Sequence, residues 1–595
     1  MTEKRVWTRR DIYLFLFIFF SAYSAVWSVF VLLRYYSFNA DVIDLGLAAS
    51  TLYNVTHTSL PYIMAHPGII PWNKLIALPI ALFFYVVPHE SWLTVFQTVW
   101  IGLGIFPLYE IGRKYTGDWK VSMIISVSYL LYYPLGGVNW FDFHFMSIFP
   151  TAFLFSIMFH LRGKDGPAIL FAAIGIFSDY LAPFIFVFLA FYFIWVRKEI
   201  IGKYAAGIFL MSAIVVALVT IFYGLSYTVS FTHLAGSSFS SSYVAPISKK
   251  FLYIIYMLLP LLFLSVLGID FLLVGLPFFI LVTVNSYQPY VSTMFYQYPA
   301  LIAPEIFIAS LVGLKRLPVL LRKVKVKEIR ISKRVLTVAV AVLLINIVLF
   351  SFETPVGNEY TGSVDTNLAN GIITGSYYSY YTSDHIVIGP WDSYLRSALN
   401  DIPAGSSVLI QNNMPQEVLG YNWSLPDAMP KGFIPDYIII DPYSMFYNNY
   451  SSYPHSDNYT MMNAANYFLE SGDYGILFWE DFIVVLSLHY SGAPHFIPAF
   501  MCVNPINKSQ DGHGNSIAIM PFTVPGTYEF KVPTNFSGSL KISTKNNNSC
   551  LTVGDIFYIG HHVFVWTVHH FHANMEIVMP GTDAGIKIQM ETIEP

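Results

Sequence analysis

The side chains best able to do chemistry in this sequence are a few carboxylates and imidazoles set between long apolar runs. W-F-D-F-H-F, Trp140 to Phe145, holds Asp142 and His144, the only charged or imidazole side chains between Lys120 and His160. An earlier stretch, N-A-D-V-I-D-L-G, supplies Asp41 and Asp44, with His57 and His66 following. Ionisable groups beside apolar surface are costly and tend to mark sites. A carboxylate within reach of an imidazole is a general base with its orienting partner; the bland alternative for each residue is an interfacial polar group satisfied by headgroups and water. Asp41 and Asp44 are not spaced as D-x-D, so a divalent cation, which would accept carboxylates, has only a weak signal here. No Gly-rich phosphate loop is present, which leaves an ATP-driven reading without support.

What must position these groups is a membrane domain. The chain has 595 residues, 55% hydrophobic and 11% charged, with a mean hydropathy of +0.55, outside the range of soluble domains. A net charge of -4 gives no reason to expect a nucleic-acid partner. About eleven apolar segments have lengths approaching the roughly 17 to 25 residues of a membrane helix, near 12–34, 93–112, 119–137, 146–161, 166–178, 182–196, 204–224, 251–266, 268–284, 299–314 and 334–352. The first ends in Leu-Leu-Arg-Tyr-Tyr rather than small residues, so it reads as an anchor and not a cleaved signal. With a cytoplasmic N-terminus, alternate connections carry Lys4 to Arg10, Arg113 to Lys120, Arg162 and Lys164, Arg197 to Lys203, and the nine basic residues from Lys315 to Arg334. The other connections hold only Arg34, Lys74, Lys249 and Lys250. The positive-inside rule therefore puts residues 353–595 outside the cell membrane, provided that 75–87 is interfacial or re-entrant.

The N-x-S/T sequons at Asn54, Asn422, Asn449, Asn458, Asn507, Asn535 and Asn547 all fall on that outer side, as expected of a glycosylated surface region. Cys502 and Cys550, the only cysteines, are outside too; a disulfide and two free thiols remain equal readings. Beyond residue 352 the pattern divides into an α/β domain, 353–490, and a β-sandwich, 491–595, whose runs S-I-A-I-M-P-F-T-V, T-Y-E-F-K-V and H-V-F-V-W-T-V-H are separated by turn residues. His561, His562, His569, His570 and His572 alternate between strand faces, which argues against one metal site.

At these residues the chain resembles a known family. D-L-G at Asp44–Gly46, His66, D-F-H at Asp142–His144, Tyr298 before the tenth span, I-P-A-G-S-S-V-L-I-Q-N and P-D-Y-I-I-I-D look, in that order, like the domain of unknown function 2079 family, over roughly residues 30 to 490. Its layout is similar to the GT-C glycosyltransferases. The resemblance implies transfer of a sugar from a polyprenyl-phosphate-linked donor to a glycan or protein acceptor at the outer face. In that reading Asp44 is the general base, with Asp142 and His144 beside it as acceptor- or phosphate-positioning groups and Asp41, His66 and Tyr298 on the substrate side. Where the family usually shows Lys-Glu, this chain has Ser178 and Asp179; Asp179 keeps the acid, and Lys249 and Lys250 are the substitute cations unless they are interfacial anchors. The rival is non-enzymatic, a lipid-linked glycan transporter or surface assembly protein. It would favour charges deep within spans, for which Glu110 and Glu305 are the candidates.

Overall fold

Thr8 starts the first helix. Its hydroxyl accepts from the Asp11 amide while the Asp11 carboxylate accepts from the Thr8 amide, a capping box that satisfies otherwise orphaned donors. The helix that follows, α1 (Arg9–Tyr36), is about 42 Å long and exceeds the hydrocarbon thickness. The computed structural model describes residues 8–57, 75–197, 202–223, 246–284, 288–291, 296–323, 328–354, 356, 388–417, 419, 421–447, 460–503, 505–508, 516–531, 541–546, 549–552, 556–560, 563–579 and 588–595.

The chain divides into two compact units, Met1–Asn39 with Asp44–Val387, and Ala40–Ile43 with Ile388–Pro595. The first is helical. After α1 come α2 (Leu47–His57), α3 (Ala77–Val86), α4 (Glu90–Leu103), α5 (Ile105–Thr116), α6 (Trp119–Leu130), α7 (Tyr133–Trp140), α8 (Phe149–Leu161), α9 (Asp165–Ile176), α10 (Ala182–Phe191), α11 (Lys203–Tyr223), α12 (Ile247–Leu258), α13 (Leu276–Val284), α14 (Ala303–Lys323) and α15 (Glu328–Glu353). Five described segments are long and apolar enough to cross a membrane: Arg9–Tyr36, Glu90–Thr116, Trp119–Trp140, Lys203–Ile221 and Ile331–Glu353.

Two of the runs that read as single spans in the sequence remain candidate spans, each with an internal joint. Residues 93–112 lie in α4 and α5, which meet at Gly104; a Cβ there would fall 2.6 Å from the Tyr129 hydroxyl, so the bare glycine lets α6 approach closely. Residues 119–137 divide between α6 and α7 at Leu131 and Tyr132. Ala77–Val86 has 10 residues, about 15 Å, too short to cross. Burial separates inner from outer helices: 83% of the apolar window in Trp119–Trp140 is buried, against 22% in Arg9–Tyr36 and 17% in Ile331–Glu353. The exposed apolar faces, such as Leu14, Phe17 and Val29 on α1 and Leu344 and Val348 on α15, are those a bilayer covers. At Gly313 a Cβ would meet the Leu264 carbonyl at 2.1 Å, so α14 packs against a neighbouring turn through bare backbone.

The second unit carries the strands. A six-stranded mixed sheet has the order β2 (Asn422–Ser424), β1 (Ser407–Leu409), β3 (Tyr437–Ile440), β5 (Ile483–Leu488), β4 (Tyr474–Glu480), β6 (His495–Ile497), with β1 parallel to both β2 and β3. Helices α16 (Pro390–Asn400) and α17 (Met461–Glu470) accompany it. Two five-stranded antiparallel sheets follow: β13 (Ile556–Gly560), β14 (Val563–Val568), β10 (Gly526–Lys531), β16 (Ile588–Glu594) and β7 (Phe500–Val503); and β12 (Ser549–Thr552), β11 (Lys541–Asn546), β15 (His572–Met579), β9 (Ser516–Thr523) and β8 (Pro505–Lys508). The boundary read at residue 490 falls before β6, which pairs with β4. One core joins both parts: Trp479, Phe482 and Leu486 share it with Phe522, Tyr528 and Trp566, and Trp479 Nε1 donates to the Pro525 carbonyl at 2.9 Å.

Candidate functional site

Asp142 and His144 lie in a short extended turn between α7 and the 3-10 turn Phe145–Ile148. An extended turn leaves backbone groups unpaired, and Gln97 on α4 supplies partners. Its Nε2 donates to the carbonyls of Val138 at 3.0 Å and Phe141 at 2.9 Å, and its Oε1 accepts from the His144 amide at 3.2 Å. The Asp142 carboxylate faces Arg34 near the end of α1. The Arg34 guanidinium donates to both carboxylate oxygens, the longer bond being 3.3 Å, and to the Trp140 carbonyl at 3.3 Å, and it lies 5.5 Å from the Trp140 ring. These side chains are 4% and 1% exposed, and so deep a pair is a structural commitment: removing one partner strands a buried charge.

His144 takes the other side of the turn. Its Nε2 lies 2.9 Å from Asp44 Oδ1, and its Nδ1 lies 2.9 Å from the Asp142 carbonyl. A carbonyl only accepts, so Nδ1 carries a proton. Nε2 then faces the Asp44 carboxylate, an ion pair when the imidazole is protonated. Asp44 sits on the π-helical turn Val42–Gly46 that leads into α2, a local widening often found at functional sites. Carboxylate oxygens of Asp44 and Asp142 are within 4.8 Å of each other. Unlike the Arg34 pair, Asp44 and His144 stay 22% and 21% exposed, which leaves them reachable by a ligand.

The fit of a divalent cation to this pair is poor. Both Asp142 oxygens are engaged by Arg34 and one Asp44 oxygen by His144; two carboxylates so engaged fall short of the about six oxygens that Mg²⁺ or Ca²⁺ requires.

The remaining sequence candidates are placed as follows. Asp179 is buried and its Oδ1 accepts from the Leu181 amide at 2.8 Å, capping the turn into α10. The neighbouring Tyr180 hydroxyl bonds Tyr290 at 2.5 Å, and the Tyr290 ring lies 4.1 Å from that of Tyr298. From Tyr298 the rings continue through Tyr296 at 6.3 Å and Phe141 at 5.2 Å to His144 at 5.2 Å. An aromatic lane thus connects Tyr298 and the residue beside Asp179 with the imidazole. Lys249 and Lys250 are on α12, where Lys250 Nζ donates to the Thr283 carbonyl at 2.7 Å at the end of α13, the C-terminal position that favours a cation. Asp41 belongs to the second unit, where Asn412 Nδ2 donates to its carboxylate at 3.3 Å and Asn412 also accepts from the amides of Val42 and Ile43. His66, Asn449, Asn458, Asn535 and Asn547 lie outside the described residues. Asn54 and Asn422 are exposed, and Asn507 is on β8. Cys502 is on β7 and Cys550 on β12, edge strands of different sheets.

Arg34, Gln97 and Asn412 were not candidates in the sequence. Arg34 had a signal: it is the only Lys or Arg between Arg10 and Lys74. Gln97 had none, because its role depends on the path of the Trp140–His144 turn.

Residues 34–485 match the family described as predicted membrane protein (DUF2079). The chain belongs to the DUF2079 family. The matched region of this DUF2079 member begins at Arg34 and contains every residue of the Arg34–Asp142 and Asp44–His144 pairs. No curated protein matches the chain.

Proposed function

We propose that this DUF2079 protein is a multi-pass membrane glycosyltransferase that moves a sugar from a polyprenyl-phosphate-linked donor to a glycan or protein acceptor. The observation that carries the reading is the Asp44–His144 contact at 2.9 Å, partly exposed beside a buried Arg34–Asp142 pair. Asp44 takes the proton of the acceptor hydroxyl. His144, oriented by the Asp142 carbonyl, relays that proton, and Arg34 holds Asp142 in place while reducing the negative charge that a phosphate leaving group would meet. The aromatic lane to Tyr298 offers faces for a sugar ring or prenyl chain. In this assignment about eleven apolar segments cross or enter the membrane, the N-terminus is cytoplasmic, and the sequon-bearing second unit is outside, with a Cys502–Cys550 disulfide and a sandwich of the two antiparallel sheets as further parts of the proposal.

The experiment is sugar transfer from a short-chain polyprenyl-phosphate sugar by the purified full-length protein in vesicles. Asp44→Asn keeps the shape and removes the base, so turnover should fall by about 10²-fold or more with an unchanged melting midpoint. Equal turnover in wild type and variant would remove Asp44 from the chemistry.

A second reading rests on Glu305. It is fully buried in α14, and neither carboxylate oxygen has a hydrogen-bond partner among the described residues, the form an ion- or proton-coupled transport site takes. Glu110, the other candidate, is bound by Arg9 at 3.0 Å and Arg162 at 2.9 Å and reads as structural. Transport of a lipid-linked glycan that is lost in Glu305→Gln and kept in Asp44→Asn would select this reading.

A further inference from the structure

A cavity of about 720 Å³ opens among the ends of α1, α5, α6 and α8 that lie far from the aspartate pair. Arg9 and Arg34 stand at the two ends of α1, about 37 Å apart along its axis. Arg9, Arg113, Lys114 and Arg162 line the cavity together with a single carboxylate, Glu110, which leaves a formal charge of +3. Glu110 does not neutralise the pocket; it braces it, accepting from Arg9, from Arg162 and from the Tyr13 hydroxyl. Two cations from different helices, α1 and α8, are thereby fixed on the same cavity. Arg113 and Lys114 add two more from the last turn of α5 and remain exposed. The wall between them is apolar, built by Met158 and Leu161 with the ring of Trp119.

Cations in the last turn of a helix are favoured by its dipole alone, and basic residues gather at membrane surfaces. Those rules account for single residues. They do not account for four cations from three helices converging on one void that has an apolar wall. An anionic headgroup has the complementary form, with phosphate oxygens for the guanidinium forks and an acyl chain for the wall. We propose that this cavity binds a phosphate-bearing anionic headgroup, at a site independent of the Asp44–His144 pair.

The test uses full-length protein in detergent, with dioleoyl phosphatidylglycerol and dioleoyl phosphatidylcholine as probes and bound lipid counted by native mass spectrometry. Wild type should retain the phosphatidylglycerol preferentially. Arg113→Gln/Lys114→Gln removes the two exposed cations and leaves the Glu110 brace intact; each cation is worth about fivefold, so the preference should fall about thirtyfold. If the double variant does not keep the wild-type melting midpoint, Lys114→Gln alone carries the test with a loss of about fivefold. Displacement of the lipid by inorganic phosphate would identify a free phosphate as the source of the ligand; retention of the lipid would identify the headgroup, and either supports the site. Equal retention of the two lipids by wild type, or an unchanged preference in a folded variant, overturns it.

Discussion

At the scale of residues, the two acidic partners near the Trp140–Phe145 turn have opposite assignments. Asp142 is locked in a buried fork with Arg34; Asp44 lies 2.9 Å from the Nε2 of a partly exposed imidazole. The Arg34→Ala variant leaves Asp142 charged and buried, and we expect a loss of about 3–5 kcal/mol of stability, read as a lower melting midpoint in detergent. Asp142→Asn combined with Arg34→Gln should recover part of that loss, since no charge is then stranded. A double variant less stable than Arg34→Ala would contradict the pair's role. In the second unit, Asp441 is wholly buried at the end of β3, and burial pushes its carboxyl up to about 7, despite donation from Asn413 and from the Tyr443 amide. Asp392 is raised to about 6, again by burial. A carboxyl raised in the folded state binds more protons there than in the unfolded chain, so stability falls as pH rises from about 4 toward 7. Asp441→Asn should flatten that fall and raise the midpoint at pH 7.5. The Asn413 amide can turn to suit it, because its Oδ1 is buried without a hydrogen-bond partner among the described residues. A midpoint that rises with pH over this interval would count against a protonated Asp441.

At the scale of elements, local chemistry explains the starts and stops. Thr8 and Asp118 cap α1 and α6, and Gly117, at φ +70°, ends α5 in the left-handed conformation glycine allows. The strands show a different dependence. The strand β6 completes a sheet begun about ninety residues earlier, and Pro525 and Tyr528 close the core over Trp479. Removal of residues 495–595 should therefore expose Trp479 and Phe482 and leave residues 388–494 protease-sensitive. A truncated protein that keeps wild-type protease resistance in this segment would show that the six-stranded sheet stands without its neighbours.

At the scale of the whole molecule, the proposed orientation makes a separate prediction. A cysteine at Lys325 should resist membrane-impermeant maleimide in intact cells, and a cysteine at Lys431, which is exposed in the second unit, should react. Labelling at Lys325 alone would reverse the topology, whereas the pairings of Asp44 and Asp142 would stand, since they are internal to one unit.

What the sequence determined by itself is set by local properties. Apolar runs declare a membrane domain because lipid tolerates little else, and the change to alternating residues after 390 declares strands because side chains on a strand alternate between faces. Asp142 and His144 could be singled out because a charge in an apolar run is conspicuous. The tertiary structure decided what composition does not encode. It placed a joint within the 93–112 run at Gly104, where the absence of a Cβ leaves room for Tyr129. It joined β6 and the residues around Trp566 to the earlier strands. It also distinguished the two aspartates, pairing one with Arg34 and the other with His144. Those partners are 108 and 100 residues away along the chain, and a pairing across such distances is fixed by how helices pack rather than by any local pattern.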